Sequence, residues 1–289
     1  MVGAMIKVPL HMPVPDPIQQ DAPPGLRASV LLLTYNQAPA LRRALTALEQ
    51  SEAREQFEIV VVDCASHDGC ARMDAEFPSV QMLRLPHHMG AARALNIGVR
   101  TAKADLVLFL SPNVEVQPKT VRTLMEAGEV GSDVVALCPQ LTGAAHLFRM
   151  PDPANAAMVA AEPQPNPECA SLDALMVRKQ FIVAMNFFDQ RYGHYWLDAE
   201  LAMQIRRAGK MIALRPEAQA AYHAAPDPLE GDKLAEVDRV LGAAAWAGKY
   251  GGGSTGMRAK AIFSALGRFD VSSLISLVSG QKLDGSQAH

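Results

Sequence analysis

The chain lacks the sequence features of several protein classes. Its 289 residues include four cysteines, and no two of them have the CxxC spacing of a zinc site or a redox motif. No run approaches the roughly 20 apolar residues that cross a bilayer. The net charge of −3 gives no electrostatic footprint for nucleic acid. We therefore expect that the chain binds no nucleic acid. Nothing resembles a secretory signal, so we expect a cytoplasmic protein.

The chain divides into three parts by composition. Residues 1–27 are rich in proline and have no hydrophobic periodicity, which predicts a disordered tail. Residues 28–225 alternate short apolar runs with helical patterns and form the predicted main domain. Residues 226–289 have a helical pattern that is interrupted at Gly251-Gly252-Gly253, and they are predicted to form a helical C-terminal extension.

Four apolar runs predict strands, at residues 30–33, 59–62, 80–83 and 106–110. Apolar residues spaced by three and four lie between them, as expected for helices. This alternation predicts an α/β fold with a mostly parallel sheet that is flanked by helices. Ligands bind such sheets at the carboxyl ends of the strands.

Polar residues follow all four predicted strands. Thr34 and Tyr35 follow the first strand and Asp63 follows the second. His87-His88 follows the third, and Asn113 lies just past the fourth. We expect these residues to line one crevice. Asp63 is suited to accept hydrogen bonds from a nucleobase or from ribose hydroxyls.

Residues 90–98 predict a helix that begins after a glycine and approaches the sheet closely through small side chains. Arg93 and Asn96 are three residues apart and share a face near the start of this helix. A cation and the helix dipole could bind a diphosphate there. Packing of the small residues and a solvated arginine are the alternatives.

The order of these segments resembles the family 2 glycosyltransferases, which are inverting enzymes of the GT-A fold that use nucleotide-diphospho-sugars. The matching segments are Thr34-Tyr35-Asn36, the run from Val61 to Gly69, the run from His87 to Val99, and the run from Val107 to Val116. Residues 174–178, 186–192, 198–201 and 206–209 continue the resemblance into the acceptor-side half of the rhamnosyltransferase-like branch. Tyr222-His223 resembles the end of the family's last strand.

The resemblance implies a sugar transfer from a nucleotide-diphospho-sugar to a hydroxyl acceptor with inversion, in cell-surface polysaccharide or glycan assembly. Asp198 matches the base that takes the acceptor's proton. His223 matches a histidine that helps to hold a divalent metal, Mn²⁺ or Mg²⁺. The remaining matches are implied to bind the donor: Thr34, Tyr35 and Asp63 at the nucleoside, and Arg93 and Asn96 toward the sugar diphosphate.

Three positions depart from the family pattern. The metal-binding turn of the family usually reads Asp-x-Asp or Asn-Pro-Asp, whereas this chain has Ser111-Pro112-Asn113. A neutral asparagine attracts a hard cation less strongly than a carboxylate does, although water or Glu115 could supply a further ligand. Leu197 and Cys64 replace two further acids. The departures leave open a non-catalytic relative that serves as a nucleotide-binding or scaffold protein.

Other candidates also have alternative interpretations. Tyr195 and Trp196 could form a sugar-stacking platform at the acceptor or could pack in the core. Glu200 could bind the acceptor or favour the positive end of a helix. The apolar and basic residues of 258–282 could contact a membrane surface, pack on the main domain or mediate self-association. A nucleotidyltransferase is a third functional class, but the chain lacks a glycine-rich phosphate loop after the first strand.

Overall fold

A computed structural model describes residues 23–251, except for 129, 130, 132, 153–156, 194, 227 and 230–232, together with the single residues 256, 275 and 278. Lys233 and Leu234 are described by their helical backbone alone. Most of the predicted N-terminal tail and most of the C-terminal run at 258–282 therefore lie outside the described residues.

The four strands that the sequence predicts are all present. They are β1 (Ala28–Thr34), β2 (Phe57–Asp63), β3 (Val80–Arg84) and β4 (Leu106–Leu110). Seven further strands follow among the described residues: β5 (Val114–Val116), β6 (Val134–Thr142), β7 (Leu147–Arg149), β8 (Val159–Ala160), β9 (Cys169–Ala170), β10 (Ala174–Arg178) and β11 (Met211–Tyr222).

Seven α-helices connect or follow these strands in the part of the chain that the structure describes. They are α1 (Ala38–Glu49), α2 (Met73–Glu76), α3 (Ala91–Thr101), α4 (Thr120–Gly128), α5 (Lys179–Ala184), α6 (Leu197–Arg207) and α7 (Lys233–Tyr250). None of these helices is both long and apolar enough to span a membrane.

The large sheet has the strand order β3-β2-β1-β4-β10-β6-β11-β5. Strand β1 pairs in parallel with β2 and with β4, so the carboxyl ends of these three strands meet at one edge. Strand β10 is antiparallel to both β4 and β6, and β5 is antiparallel to β11. The predicted α/β fold with a mostly parallel sheet is confirmed. Strands β7, β8 and β9 form a small second sheet.

Helices cover both faces of the large sheet because the central strands are apolar on both sides. Val30 and Leu32 pack with α1 and α4 on one face, whereas Leu31 packs with α3 and α6 on the other. Helix α3 approaches β1 so closely that a Cβ at Gly98 would lie 2.4 Å from Leu31 Cδ1. The structure therefore explains the small residues of 90–98 by this close approach.

Candidate active site

A cavity of about 470 Å³ lies at the carboxyl ends of β1 and β4. Residues 171–173 before β10, residues 195–198 at the start of α6, and residues 222, 225, 228 and 229 complete its walls. Cavities of roughly 300–1,000 Å³ are typical of small-molecule sites. The cavity lies where the sequence places the ligand crevice.

The wall at the end of β1 consists of uncharged side chains. Thr34 is 1% exposed, and its hydroxyl lies 3.3 Å from Cys70 Sγ. The ring of Tyr35 packs edge-on against His88, with 4.9 Å between the ring centroids. Cys64 lines the same wall, and burial raises the pKa of its thiol to about 12. This wall offers polar hydroxyls and an aromatic ring without a charge.

Asp63 lies next to the cavity but does not line it. Asp63 is 2% exposed, and its Oδ1 accepts a hydrogen bond of 3.1 Å from the Ser66 amide. Ser66 Oγ in turn accepts a hydrogen bond of 2.9 Å from the Asn36 amide. Asp63 therefore organises the loops that follow β1 and β2. Contact between Asp63 and a nucleoside stays a prediction.

The structure does not bring Arg93 and Asn96 into the cavity. The Asn96 side chain donates to the Phe188 carbonyl at 2.8 Å and accepts from the Phe188 amide at 2.9 Å. Both polar ends of the buried Asn96 side chain are thus used in joining α3 to the segment after α5. Arg93 is exposed on α3 and is absent from the cavity wall.

Asp198 lies in the wall of the cavity. It is the second residue of α6, and its Oδ1 accepts a hydrogen bond of 2.9 Å from the Leu172 amide. Removal from bulk water, and secondly the charge of Asp173, raise the pKa of Asp198 to about 7. A carboxylate with this pKa can both take and release a proton near neutral pH.

Asp173 is a second carboxyl group in the cavity that the sequence patterns did not indicate. Ser171 Oγ donates to Asp173 Oδ2 at 2.6 Å, and the Ser111 hydroxyl lies near this carboxyl group. Burial raises the pKa of Asp173 despite the hydrogen bond from Ser171. Asp173 directly precedes the antiparallel strand β10. A residue in front of an antiparallel strand lies at the same sheet edge as residues that follow parallel strands, and this signal could have identified it.

The turn after β4 places an unpaired amide oxygen beside the cavity. Asn113 is 7% exposed and lines the cavity, and its Oδ1 has no hydrogen-bond partner. The backbone amide of Asn113 donates to Ser111 Oγ at 3.2 Å. A buried oxygen without a donor is costly, which indicates a position that a ligand can satisfy.

His223 lies near this turn but has an acid as its partner. The His223 amide donates to the Asn113 carbonyl at 2.8 Å, whereas its Nε2 lies 2.8 Å from Glu115 Oε2. Neither His223 nor Glu115 lines the cavity. Their ring and carboxylate face each other at the sheet edge, so their use as metal ligands stays a prediction.

The cavity residues can supply some of the ligands of a divalent metal ion but not a complete set. Among the described residues, no three His, Cys, Asp or Glu side chains cluster where they could hold an ion. Asn113 and Asp173 both line the cavity and both carry hard oxygen atoms, and the Asn113 Oδ1 is buried there without a hydrogen-bond partner. Mg²⁺ is commonly bound by one or two carboxylates together with substrate phosphates. An ion at this site would accordingly take its remaining ligands from a diphosphate or from water.

Tyr195 and Trp196 line the cavity and are also held by α7. Arg239 lies over the Tyr195 ring, 4.7 Å from its centroid, and Trp196 Nε1 donates to the Arg239 carbonyl at 3.2 Å. Trp196 has a left-handed backbone with φ 75°. Helix α7 thus fixes the loop that leads into Asp198. An acceptor-stacking role for the two rings stays a prediction.

Glu200 is buried beneath α7 and does not line the cavity. Lys249 Nζ lies 2.6 Å from Glu200 Oε1, and the Tyr250 hydroxyl donates to Oε2 at 2.8 Å. The structure therefore gives this side chain a structural position, because its charge is used to bind α7. Neither of the two interpretations drawn from the sequence includes this contact.

Comparisons with known proteins agree with the fold. Residues 29–163 match the family described as Glycosyl transferase family 2. The mannosyltransferase PcManGT from Pyrobaculum calidifontis, solved with GDP-Man and Mn²⁺, has a TM-score of 0.55 at 18% identity. The likeness covers 91% of this chain and 82% of that one. At this identity it shows the fold alone.

Two curated relatives match shorter stretches. The uncharacterized glycosyltransferase YfnE of Bacillus subtilis is 34% identical over 88 residues, which are 29% of this chain and 22% of the relative. The undecaprenyl-phosphate 4-deoxy-4-formamido-L-arabinose transferase of Aeromonas hydrophila is 28% identical over 114 residues, which are 37% of this chain and 35% of the relative. The chain thus spans about a fifth to a third of the length of these relatives. Residues 29–163 thus match glycosyl transferase family 2, and the chain has the GT-A fold of its structural neighbours.

Proposed function

We propose that the protein transfers a sugar from a nucleotide-diphospho-sugar to a hydroxyl acceptor with inversion at the anomeric carbon. The observation that carries this proposal is the position of Asp198, a carboxyl group with a pKa of about 7 in the wall of the cavity. The acceptor hydroxyl attacks the anomeric carbon, the bond to the leaving diphosphate breaks, and Asp198 takes the hydroxyl proton.

The uncharged wall at the end of β1 supports a nucleoside subsite in the same cavity as Asp198. Thr34 and Tyr35 carry hydroxyl groups, and the Tyr35 ring gives a surface on which a base can pack. The donor's diphosphate would then lie toward Asn113. A divalent metal, when bound there, would neutralise charge on the leaving diphosphate.

A hydroxyl acceptor agrees better with Asp198 than a phosphate acceptor does. The Aeromonas relative is named for transfer to undecaprenyl phosphate. A phosphate monoester is already largely ionised at pH 7, so its attack needs no base. Two carboxyl groups in the cavity would also repel it when they are ionised. A sugar hydroxyl, in contrast, must lose a proton. The acceptor's hydroxyl could be carried by a sugar, a lipid-linked glycan or a growing polysaccharide of the cell surface.

We place the proposed reaction in the cytoplasm or on the inner face of the membrane, where nucleotide-sugars are used. The proposed catalytic domain spans residues 28–225, in agreement with the start of β1 at Ala28 and the end of β11 at Tyr222. The N-terminal tail and the C-terminal extension remain proposed units. Membrane contact or self-association is assigned to the extension.

A non-catalytic scaffold is the second candidate, and the charge of the cavity favours it. No Lys or Arg of the described residues lines the cavity, and the turn after β4 carries the neutral Asn113. A leaving diphosphate normally needs a metal or cationic side chains. A relative that binds a nucleotide or a partner enzyme without transfer has no such need.

Substitution of Asp198 separates the two candidates. Calorimetric titration with UDP, dTDP and GDP identifies the nucleobase that the protein binds. Sugar nucleotides that carry this nucleobase are then incubated with candidate acceptors, and the release of nucleoside diphosphate is measured. Asp198→Asn should abolish release and leave nucleotide affinity within about twofold, because it removes the proton acceptor and keeps the side-chain size. Asp105→Asn, an exposed aspartate at the amino end of β4, is the matched control. Unchanged release from the Asp198 variant would refute its assignment as base, and anomeric NMR of the product checks inversion.

A further inference from the structure

We propose that Asp173 replaces the carboxylate that the turn after β4 lacks, and that Asp173 and the Asn113 side-chain oxygen together hold the divalent cation that accompanies the donor diphosphate. This inference rests on the proposed function, because the diphosphate supplies the other ligands. It assigns the cation to a residue 60 positions beyond Asn113 in the sequence, directly before a different strand of the sheet.

The Asn113 oxygen is the first observation that points to a ligand. Asn113 is 7% exposed, lines the cavity, and leaves its Oδ1 without a hydrogen-bond partner. An amide oxygen is a suitable ligand for Mn²⁺ or Mg²⁺, and a bound ion would remove the cost of burying it unpaired. The oxygen is neutral, so a carboxylate has to come from elsewhere.

Ser111 links the turn directly to Asp173. The Ser111 amide donates to the Asp173 carbonyl at 2.8 Å, and the Ser111 hydroxyl lies near the Asp173 carboxyl group. The same hydroxyl accepts the Asn113 amide at 3.2 Å. One serine thus contacts both proposed ligands, which places the Asp173 carboxyl group on the same side of the cavity as Asn113.

Hydrogen bonds fix the orientation of Asp173, as metal-binding carboxylates require. Ser171 Oγ donates to its Oδ2 at 2.6 Å, and its own amide donates back to Ser171 Oγ at 3.0 Å. Outer hydrogen bonds of this kind orient the oxygens of metal-binding carboxylates. The other acids are less suitable: Glu115 is paired with His223 away from the cavity wall, and Asp198 accepts the Leu172 amide as the proposed base.

Manganese binding tests the proposal without any measurement of catalysis. Free Mn²⁺ is counted by electron paramagnetic resonance during titration into the full chain, with and without saturating UDP or GDP. In the unaltered protein we expect the nucleotide to strengthen Mn²⁺ binding at least about tenfold. Asp173→Asn should abolish this gain. Asp198→Asn, which removes a carboxyl group from the same cavity without touching Ser111, should retain it, as should Glu115→Gln.

A rescue variant separates metal binding from a structural role. Asn113→Asp in the Asp173→Asn background returns one carboxylate to the site and should restore the nucleotide-dependent gain in Mn²⁺ binding. Loss of the gain in Glu115→Gln with retention in Asp173→Asn would overturn the proposal, as would a double variant without rescue. Nucleotide binding that is indifferent to Mn²⁺ in the unaltered protein would overturn the proposal and leave the proposed function standing. Failure of UDP, dTDP and GDP to bind at all, with or without Mn²⁺, would overturn both.

Discussion

The buried pair between Glu200 and Lys249 gives the most quantitative prediction about stability. Glu200 has a side chain that is 2% exposed, and Lys249 contributes the cation at 2.6 Å with a side chain that is 25% exposed. Lys249→Met keeps most of the side-chain volume and removes the charge. Loss of one partner from a buried pair costs about 3–5 kcal/mol, because the other charge stays buried without compensation.

The expected cost lies at the lower end of that range. Tyr250 still donates to Glu200 at 2.8 Å, and Gln204 still donates to it at 2.8 Å. We therefore expect Lys249→Met to lower the free energy of unfolding by about 3 kcal/mol. Urea unfolding followed by circular dichroism measures this value, provided that the dependence on urea concentration is unchanged.

A surface pair supplies the matched control. Lys210 Nζ lies 3.1 Å from Asp133 Oδ1, with side chains that are 32% and 69% exposed. Lys210→Met should cost less than about 0.5 kcal/mol, because solvent screens an exposed pair. Adding Glu200→Gln to Lys249→Met should recover about 2 kcal/mol, since the uncompensated charge is then gone. Equal costs for the two lysine substitutions, or no recovery in the double variant, would refute the structural role of Glu200.

Four further predictions concern the site and its supports. If Asp198 is the base, only its ionised form supports transfer, so its pKa of about 7 makes the transfer rate about tenfold lower at pH 6 than at pH 8. A pH–rate profile whose acid limb lies near pH 4 would contradict this. The raised pKa also means that the folded state loses stability as the pH rises from the ordinary value of 3.8 through 7, so Asp198→Asn should melt above the unaltered protein at pH 8. Asn96→Ala should lower the free energy of unfolding in urea by about 3 kcal/mol, because it leaves the Phe188 amide and carbonyl unpaired. Arg93→Ala on the same helix is the control and should lower it by less than about 0.5 kcal/mol. Gly193→Ala should lower the free energy of unfolding by about 2 kcal/mol, because Gly193 has φ 62° and a Cβ there would lie 2.2 Å from Asp238 Oδ1. An unchanged melting temperature would show that the loop adapts to the substitution.

The sequence predicts the sheet and one edge of it well because both depend on local patterns. A strand that is buried on both faces leaves a run of apolar residues, and all four such runs are strands in the structure. Residues just past these runs must lie at the carboxyl edge, so Thr34, Tyr35 and Asn113 are placed in the cavity wall by local sequence alone.

Partners that lie far apart in the sequence were not predictable from local patterns. The Asn96 side chain binds the backbone of Phe188, 92 positions later, and a helical pattern around Asn96 is the same whether that side chain faces a ligand or a carbonyl. Glu200 binds Lys249, 49 positions later, on a helix whose docking no local pattern reveals. In both cases a tertiary hydrogen bond determines the position of a polar side chain that the sequence left open.

Asp173 shows why a motif can look more damaged in the sequence than in the folded protein. A motif records neighbours along one strand, whereas a cation responds to all oxygens within reach of it. Strand β10 runs antiparallel to β4, with Ala174 opposite Leu110, so the residue before β10 reaches the turn after β4. The missing charge at Asn113 and the additional charge at Asp173 therefore occur at one edge of the sheet. If the proposed cation site is correct, the neutral turn reflects relocation of a ligand to the residue before the neighbouring strand, and the non-catalytic interpretation loses its principal support.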